Sequence, residues 1–83
     1  MHGDSANWSH VIIDEPDGSC RVEVTDEDGE LFPVARKVTR GQAALLIHRV
    51  TEESRTSRRP IKTVIRDPYF MAATIITLKR QPL

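Results

Sequence analysis

The sequence has a single cysteine, Cys20, among its 83 residues, and it has no long apolar run. One cysteine cannot form an intramolecular disulfide, and small secreted domains usually carry several, so the chain suits a reducing compartment. The longest apolar stretch, residues 70–78, is interrupted by threonines. It is about half the roughly 20 residues that a membrane helix needs. The first ten residues lack the basic and apolar regions of a secretory signal. We therefore expect a cytoplasmic protein with no membrane partner.

Side chains that could support catalysis or metal binding are also scarce. His2, His10 and His48 are far apart in the sequence, and no Cys-x-x-Cys or His-x-x-x-His spacing occurs. Such spacings are typical of zinc sites. Ser5 and Ser9 lie near an N-terminus that we expect to be mobile, and a mobile segment does not hold a nucleophile in a reactive geometry. We expect no enzyme activity, no metal or other cofactor and no small-molecule substrate.

The length allows one domain, because a chain of 83 residues buries only roughly 60 to 65% of its unfolded surface. We assign residues 1–8 to a flexible N-terminal arm and residues 9–81 to a single domain. Three segments in this domain favour strands: β-branched residues 11–13, the period-two alternation of residues 20–25, and residues 31–36. Turn residues, including Gly18 and Gly29, separate them. Together they predict a three-stranded antiparallel meander, and Pro33 favours an edge position or a bulge for the third strand.

The pattern after the meander is that of an amphipathic helix. Apolar residues recur at i, i+3, i+4 and i+7 as Ala43, Leu46, Ile47 and Val50. Thr39, followed three residues later by Gln42, matches a capping box. The sequence predicts a helix from about Arg40 to about Ser54.

Two more strands are predicted after this helix. Residues 61–66 alternate between apolar and polar positions, and Asp67-Pro68 is typical of a turn. Residues 69–79 then carry apolar side chains on both faces of an extended chain. The predicted order is β-β-β-α-β-β, a small antiparallel sheet with one packed helix, which belongs to the α+β class.

The last predicted strand is apolar on both sides, and a single helix covers only one face of a sheet. An uncovered apolar face marks an interaction surface. Its residues are Tyr69, Met71, Ala73 and Ile75. We predict a homodimer or a tight protein partner at this apolar interface. The alternative is that Trp8 and the N-terminal arm cover it.

Charge is divided unevenly along a chain whose net charge is zero. Residues 1–32 hold nine acidic side chains and one basic side chain, whereas residues 33–83 hold eleven basic and three acidic ones. The basic residues that could bind a partner or an anion form two clusters, Arg36, Lys37 and Arg40 before the helix and Arg55, Arg58, Arg59 and Lys62 after it. Three hypotheses stay open: pairing with the acidic meander, nucleic-acid binding, and docking to an acidic protein surface.

These observations favour a small non-enzymatic protein–protein interaction module, an adaptor or an inhibitor, that uses a charge-polarised surface and an apolar C-terminal strand face. Small proteins without catalytic residues are often encoded by phages or mobile elements, and an anti-CRISPR-like inhibitor is one form that this role could take. The alternative function is nucleic-acid binding, with the two basic clusters contacting phosphates.

Overall fold

A computed structural model of the chain describes residues 8–80, in which three strands are followed by three helices. The strands are β1 (Ser9–Asp14), β2 (Cys20–Thr25) and β3 (Leu31–Val38), and the helices are α1 (Arg40–Ser57), α2 (Ile61–Ile65) and α3 (Pro68–Arg80). The predicted α+β class and the antiparallel meander are confirmed. The predicted N-terminal arm, Trp8 excepted, and the domain's last residue lie outside the described residues.

The sheet has the order β1-β2-β3, so β2 is its central strand. Both hairpin turns contain a glycine with positive φ, Gly18 at +89° and Gly29 at +84°, a backbone conformation that other residues rarely adopt. In the second turn, Asp26 is buried and its Oδ1 accepts hydrogen bonds from the backbone N–H groups of Asp28 and Glu30. The predicted turn residues therefore set the register of the meander.

Strand β3 lies at an edge and is irregular, as Pro33 predicted. Two register shifts interrupt its pairing with β2, one between Cys20 and Val22 and the other between Val22 and Glu23. Lys37 adopts a positive φ of 59° in this region. Bulges and proline both discourage pairing of an edge with further strands.

Helix α1 begins with the predicted capping box. The Thr39 side chain accepts a hydrogen bond from the Gln42 backbone N–H at 3.0 Å, and the Gln42 side chain accepts one from the Thr39 N–H at 2.9 Å. The helix continues to Ser57, beyond the expected end near Ser54, and Arg58 follows it in the left-handed conformation.

The prediction of a fourth strand at residues 61–66 is wrong, because this segment forms the helix α2. Ile61 and Val64 are both fully buried, whereas Thr63 is exposed. An alternating pattern would have put Ile61 and Thr63 on the same face. Spacings of three and four residues place Ile61 and Val64, which are buried, and Ile65, which is partly buried, on the same side, which suits a helical turn.

The prediction of a fifth strand at residues 69–79 is also wrong, because the segment forms the helix α3. Asp67 Oδ1 accepts hydrogen bonds from the backbone N–H groups of Tyr69 and Phe70 at 2.9 and 3.1 Å. Pro68 is the first residue of the helix. An aspartate cap followed by proline is a helix start signal, and the same dipeptide also occurs in turns. Residues 8–80 therefore contain three packed helices rather than the one that was predicted.

The core lies between one face of the sheet and the helices. Val22 and Val24 of β2 pack against the buried stripe of α1, and α2 and α3 complete the cluster. Its buried members are Val22, Val24, Ala43, Leu46, Ile47, Val50, Ile61, Val64 and Leu78. Cys20 is buried on the same strand, as its alternation predicted. Within residues 8–80, no helix is long and apolar enough to span a membrane.

Candidate interaction surface

Helix α3 is apolar on both its inner and its outer side. Its inner side contributes Thr74 and Leu78, which are buried, and Phe70 and Met71, which are partly buried against the core. Its outer side carries an apolar stripe at i, i+3, i+4 and i+7, made of Tyr69, Ala72, Ala73 and Ile76. We call these four residues the outer stripe.

The outer stripe is accessible in the single chain. Tyr69 is 88% exposed and Ile76 is 53% exposed, and Ala72 and Ala73 lie exposed between them. Ile75, on the flank of the stripe, is 46% exposed. A helix that is apolar all round is usually buried, so this exposed side is the feature of α3 that its own fold leaves unexplained.

The four residues of the predicted apolar interface do not share one face of the helix. Tyr69 and Ala73 lie in the outer stripe, Ile75 lies beside it, and Met71 packs against the core instead. Ile76 is absent from the predicted apolar interface, because a two-residue period places it on the opposite face of a strand. A period of 3.6 residues, started at Tyr69, would have found it.

The first basic cluster is divided among different contacts. The Lys37 Nζ lies 2.8 Å from Asp17 Oδ2, and an Arg40 guanidinium nitrogen lies 2.5 Å from Asp14 Oδ1. Arg36 is exposed and forms no ion pair with any other described residue. Only one of the three cations is therefore available to another molecule without the loss of an internal ion pair.

The second basic cluster is brought together around an open cavity of about 600 Å³. The cavity is lined by Arg55, Arg58, Arg59 and Lys62, and also by the acidic Glu27 and Asp28. Glu27 Oε2 accepts a hydrogen bond from the Ile61 N–H at 2.7 Å, so a carboxylate of the same chain already occupies the start of α2.

Most cations of this second cluster are neutralised within the chain. Arg59 binds Glu53 at 2.7 Å and Asp67 at 2.9 Å. Arg55 binds Glu52 at 2.5 Å, and Lys62 binds Asp28. Arg58 is the member of this cluster for which the described chain provides no carboxylate.

The acidic and basic halves of the chain meet within one molecule. Within the described part of the chain, four ion pairs join residues 8–32 to residues 33–80: Lys37–Asp17, Arg40–Asp14, Lys62–Asp28 and Arg66–Glu30. Arg66 also lies over the ring of Phe32, at 4.7 Å from its centroid. The division of charge along the sequence is therefore partly offset by ion pairs between the two halves.

Hydrogen bonds within ion pairs shift the pKa values of two aspartates, Asp17 and Asp67. The hydrogen bond from Arg59, with those from the backbone of Phe70 and Tyr69, lowers the pKa of Asp67, and the hydrogen bond from Lys37 lowers the pKa of Asp17. Burial raises the pKa of the Cys20 thiol, and its contact with Asp14 raises it further. A raised pKa makes this thiol a weak nucleophile.

In the described part of the chain, no group of three metal-ligating side chains comes together. No protein-family model matches the sequence, and neither a curated protein nor a solved structure is detectably similar to it. The outer stripe and the distribution of charge are therefore the features of the described chain that bear on its function.

Proposed function

We propose that the chain is a non-enzymatic protein–protein interaction module, an adaptor or an inhibitor, that works as a homodimer formed through the outer stripe of α3. The observation that carries this proposal is the exposure of Tyr69 and Ile76 on a helix whose other side is buried in the core. Burial of exposed apolar surface is the dominant favourable contribution to most protein association, and tyrosine is enriched at interfaces.

A second copy is the occupant that the stripe fits, because the stripe is symmetric about its own middle. Along the sequence, Tyr69 and Ile76 are the same number of residues away from the midpoint between Ala72 and Ala73. An antiparallel pair of α3 helices would set Tyr69 of each copy against Ile76 of the other, as a two-fold interface requires. The two alanines at the centre let the helix axes approach closely, and antiparallel helix dipoles attract each other.

The expected dimer is weak. Helix α3 has 13 residues and is therefore about 20 Å long, with a width of about 10 Å. Its outer side is smaller than the roughly 800 Å² that each partner buries in a standard stable interface. We expect dissociation on dilution into the micromolar range or below.

A disulfide trap tests this geometry. Ala73→Cys lies next to the proposed two-fold axis, and a disulfide forms only when two Cα atoms come within about 4.4 to 6.8 Å. Mild oxidation should therefore link two copies of this variant rapidly. Thr63→Cys, an exposed position on α2, is the control and should link slowly.

Charge substitutions complete the test. Ile76→Lys in the Ala73→Cys background should prevent cross-linking, whereas Leu31→Lys, at a similarly exposed apolar position on β3, should leave it unchanged. Equal cross-linking of the Ala73→Cys and Thr63→Cys variants would contradict the antiparallel dimer.

The basic clusters give less support to nucleic-acid binding. Lys37, Arg40, Arg55, Arg59 and Lys62 already form ion pairs within the chain. Binding to a phosphate would replace each of these internal ion pairs with a pair to the phosphate. The favourable free energy of nucleic-acid binding would therefore be small. Carboxylates beside them would also repel a phosphate backbone.

A further inference from the structure

An apolar groove runs between β3 and α3, with α1 as its floor. It encloses about 420 Å³ and is lined by the β3 residues 34–38, by Leu46 of α1, and by Met71, Ile75 and Leu78 of α3. Ile75 is 46% exposed here, and Val34 and Met71 are partly buried. The volume falls within the roughly 300 to 1,000 Å³ that is usual for binding pockets.

The rim of this groove is positively charged. Arg36, Lys37 and Lys79 line it, and among residues 8–80 no acidic side chain does. Lys37 is paired with Asp17, but Arg36 and Lys79 have no carboxylate partner within residues 8–80. Arg36 and Lys79 therefore line the groove without an internal ion pair. Around the larger cavity beside Arg59, by contrast, most of the cations are paired with carboxylates of the same chain.

The edge of β3 contributes little regular backbone pairing to this site. Its two register shifts and the positive φ of Lys37 interrupt the regular strand where it borders the groove. A ligand strand would find only a short stretch of ladder to extend. Recognition in the groove must therefore depend mainly on side chains, with apolar groups filling it and negative groups meeting the rim.

We propose that this groove binds a short amphipathic segment of a partner protein, with apolar side chains that enter between β3 and α3 and Asp or Glu side chains that bind Arg36 and Lys79. The apolar contacts supply burial, and the charges supply orientation and a fast association rate. The proposal deepens the proposed function, because it names the chemistry of a partner, but it uses a surface other than the outer stripe.

Selection from a random peptide library displayed on phage tests the proposal with the whole chain as bait. The enriched peptides should combine apolar residues with Asp or Glu and contain few Lys or Arg. A labelled copy of the most enriched peptide should bind in a fluorescence anisotropy assay, and its affinity should fall as salt rises.

Three variants locate the binding site of that peptide. Arg36→Glu with Lys79→Glu should weaken binding at least about tenfold, since both attractive charges become repulsive. Ile75→Glu should weaken it similarly, and Ile76→Lys on the outer stripe should leave it unchanged. Backbone amide signals of residues 34–38 and 71–79 should shift when the peptide is added.

The outcomes separate the two proposals. Failure to enrich peptides, enrichment of basic or uncharged ones, or binding that the groove variants leave intact would overturn the groove proposal. If binding is lost in Ile76→Lys and kept in the groove variants, the interaction module survives and the groove does not. If the chain is monomeric but binds an acidic peptide in the groove, the dimer fails and the groove proposal stands.

Discussion

Two alanine substitutions on α3 should differ sharply in their effect on the free energy of unfolding. Leu78 is 5% exposed and belongs to the core, whereas Ile76 is 53% exposed on the outer stripe. Leu78→Ala removes three buried carbons at about 0.8 kcal/mol each, roughly 2.4 kcal/mol before the cavity is counted. Core Leu→Ala substitutions cost about 2 to 5 kcal/mol. For a domain this small, whose total stability we expect to be about 5 kcal/mol, the loss is about half or more.

Ile76→Ala should change the same quantity by less than about 0.5 kcal/mol, because the removed carbons are largely hydrated and alanine favours a helix. Urea unfolding followed by far-UV circular dichroism measures both values. Low micromolar protein keeps dimer formation from adding to the apparent stability. In an extended strand, Ile76 and Leu78 would share a face, so equal losses for the two variants would refute the helical assignment.

Three further outcomes follow from the contacts described above. Thr39→Ala removes one half of the capping box and should lower the unfolding free energy by about 1 kcal/mol, measured in urea. Asp67 has a lowered pKa in the folded chain, so its ion pair stabilises the fold above about pH 4 and loses this effect as the pH falls through the folded pKa. The urea midpoint of Asp67→Asn should therefore lie below that of the unaltered chain at pH 7, and the gap should close in acid; a gap that persists in acid would contradict this. In a gel-shift assay near physiological salt, duplex DNA should not be retarded. A shift that weakens with salt, with a slope of about −0.9 per phosphate contact, would instead favour nucleic-acid binding.

The first half of the fold could be predicted from sequence because its signals are local. Alternation in residues 20–25, glycines in both turns and the Thr39–Gln42 capping box each specify a local conformation, and the structure has all of them. Pro33 likewise indicated the edge strand and its bulges.

The second half could not be predicted so directly, because its patterns fit two periods. α2 has five residues, which is too short for a 3.6-residue period to be distinguished from alternation. In α3, apolar residues occur on both sides of the chain. This pattern is compatible with a strand that is buried on both faces and equally with an apolar helix. Asp67 and Pro68 carried the deciding signal, since a cap followed by proline starts a helix.

The two proposed interaction surfaces could be predicted only in part from the sequence. An excess of apolar residues in the segment 69–78 indicated a face without a partner, and Tyr69 and Ala73 do lie on the exposed side of α3. The groove could not be found in this way, because β3, α1 and α3 build it together. Ion pairs such as Lys37–Asp17 and Lys62–Asp28 also depend on tertiary contacts between distant segments.

Sedimentation equilibrium of the unaltered chain over a range of concentrations tests the central claim most directly. The outer stripe predicts a mass that rises from that of the single chain, 9.4 kDa, toward twice that value as the concentration approaches the millimolar range. The same experiment with Ile76→Lys should give the single-chain mass throughout. A constant 9.4 kDa for the unaltered chain at every concentration would contradict the proposed dimer.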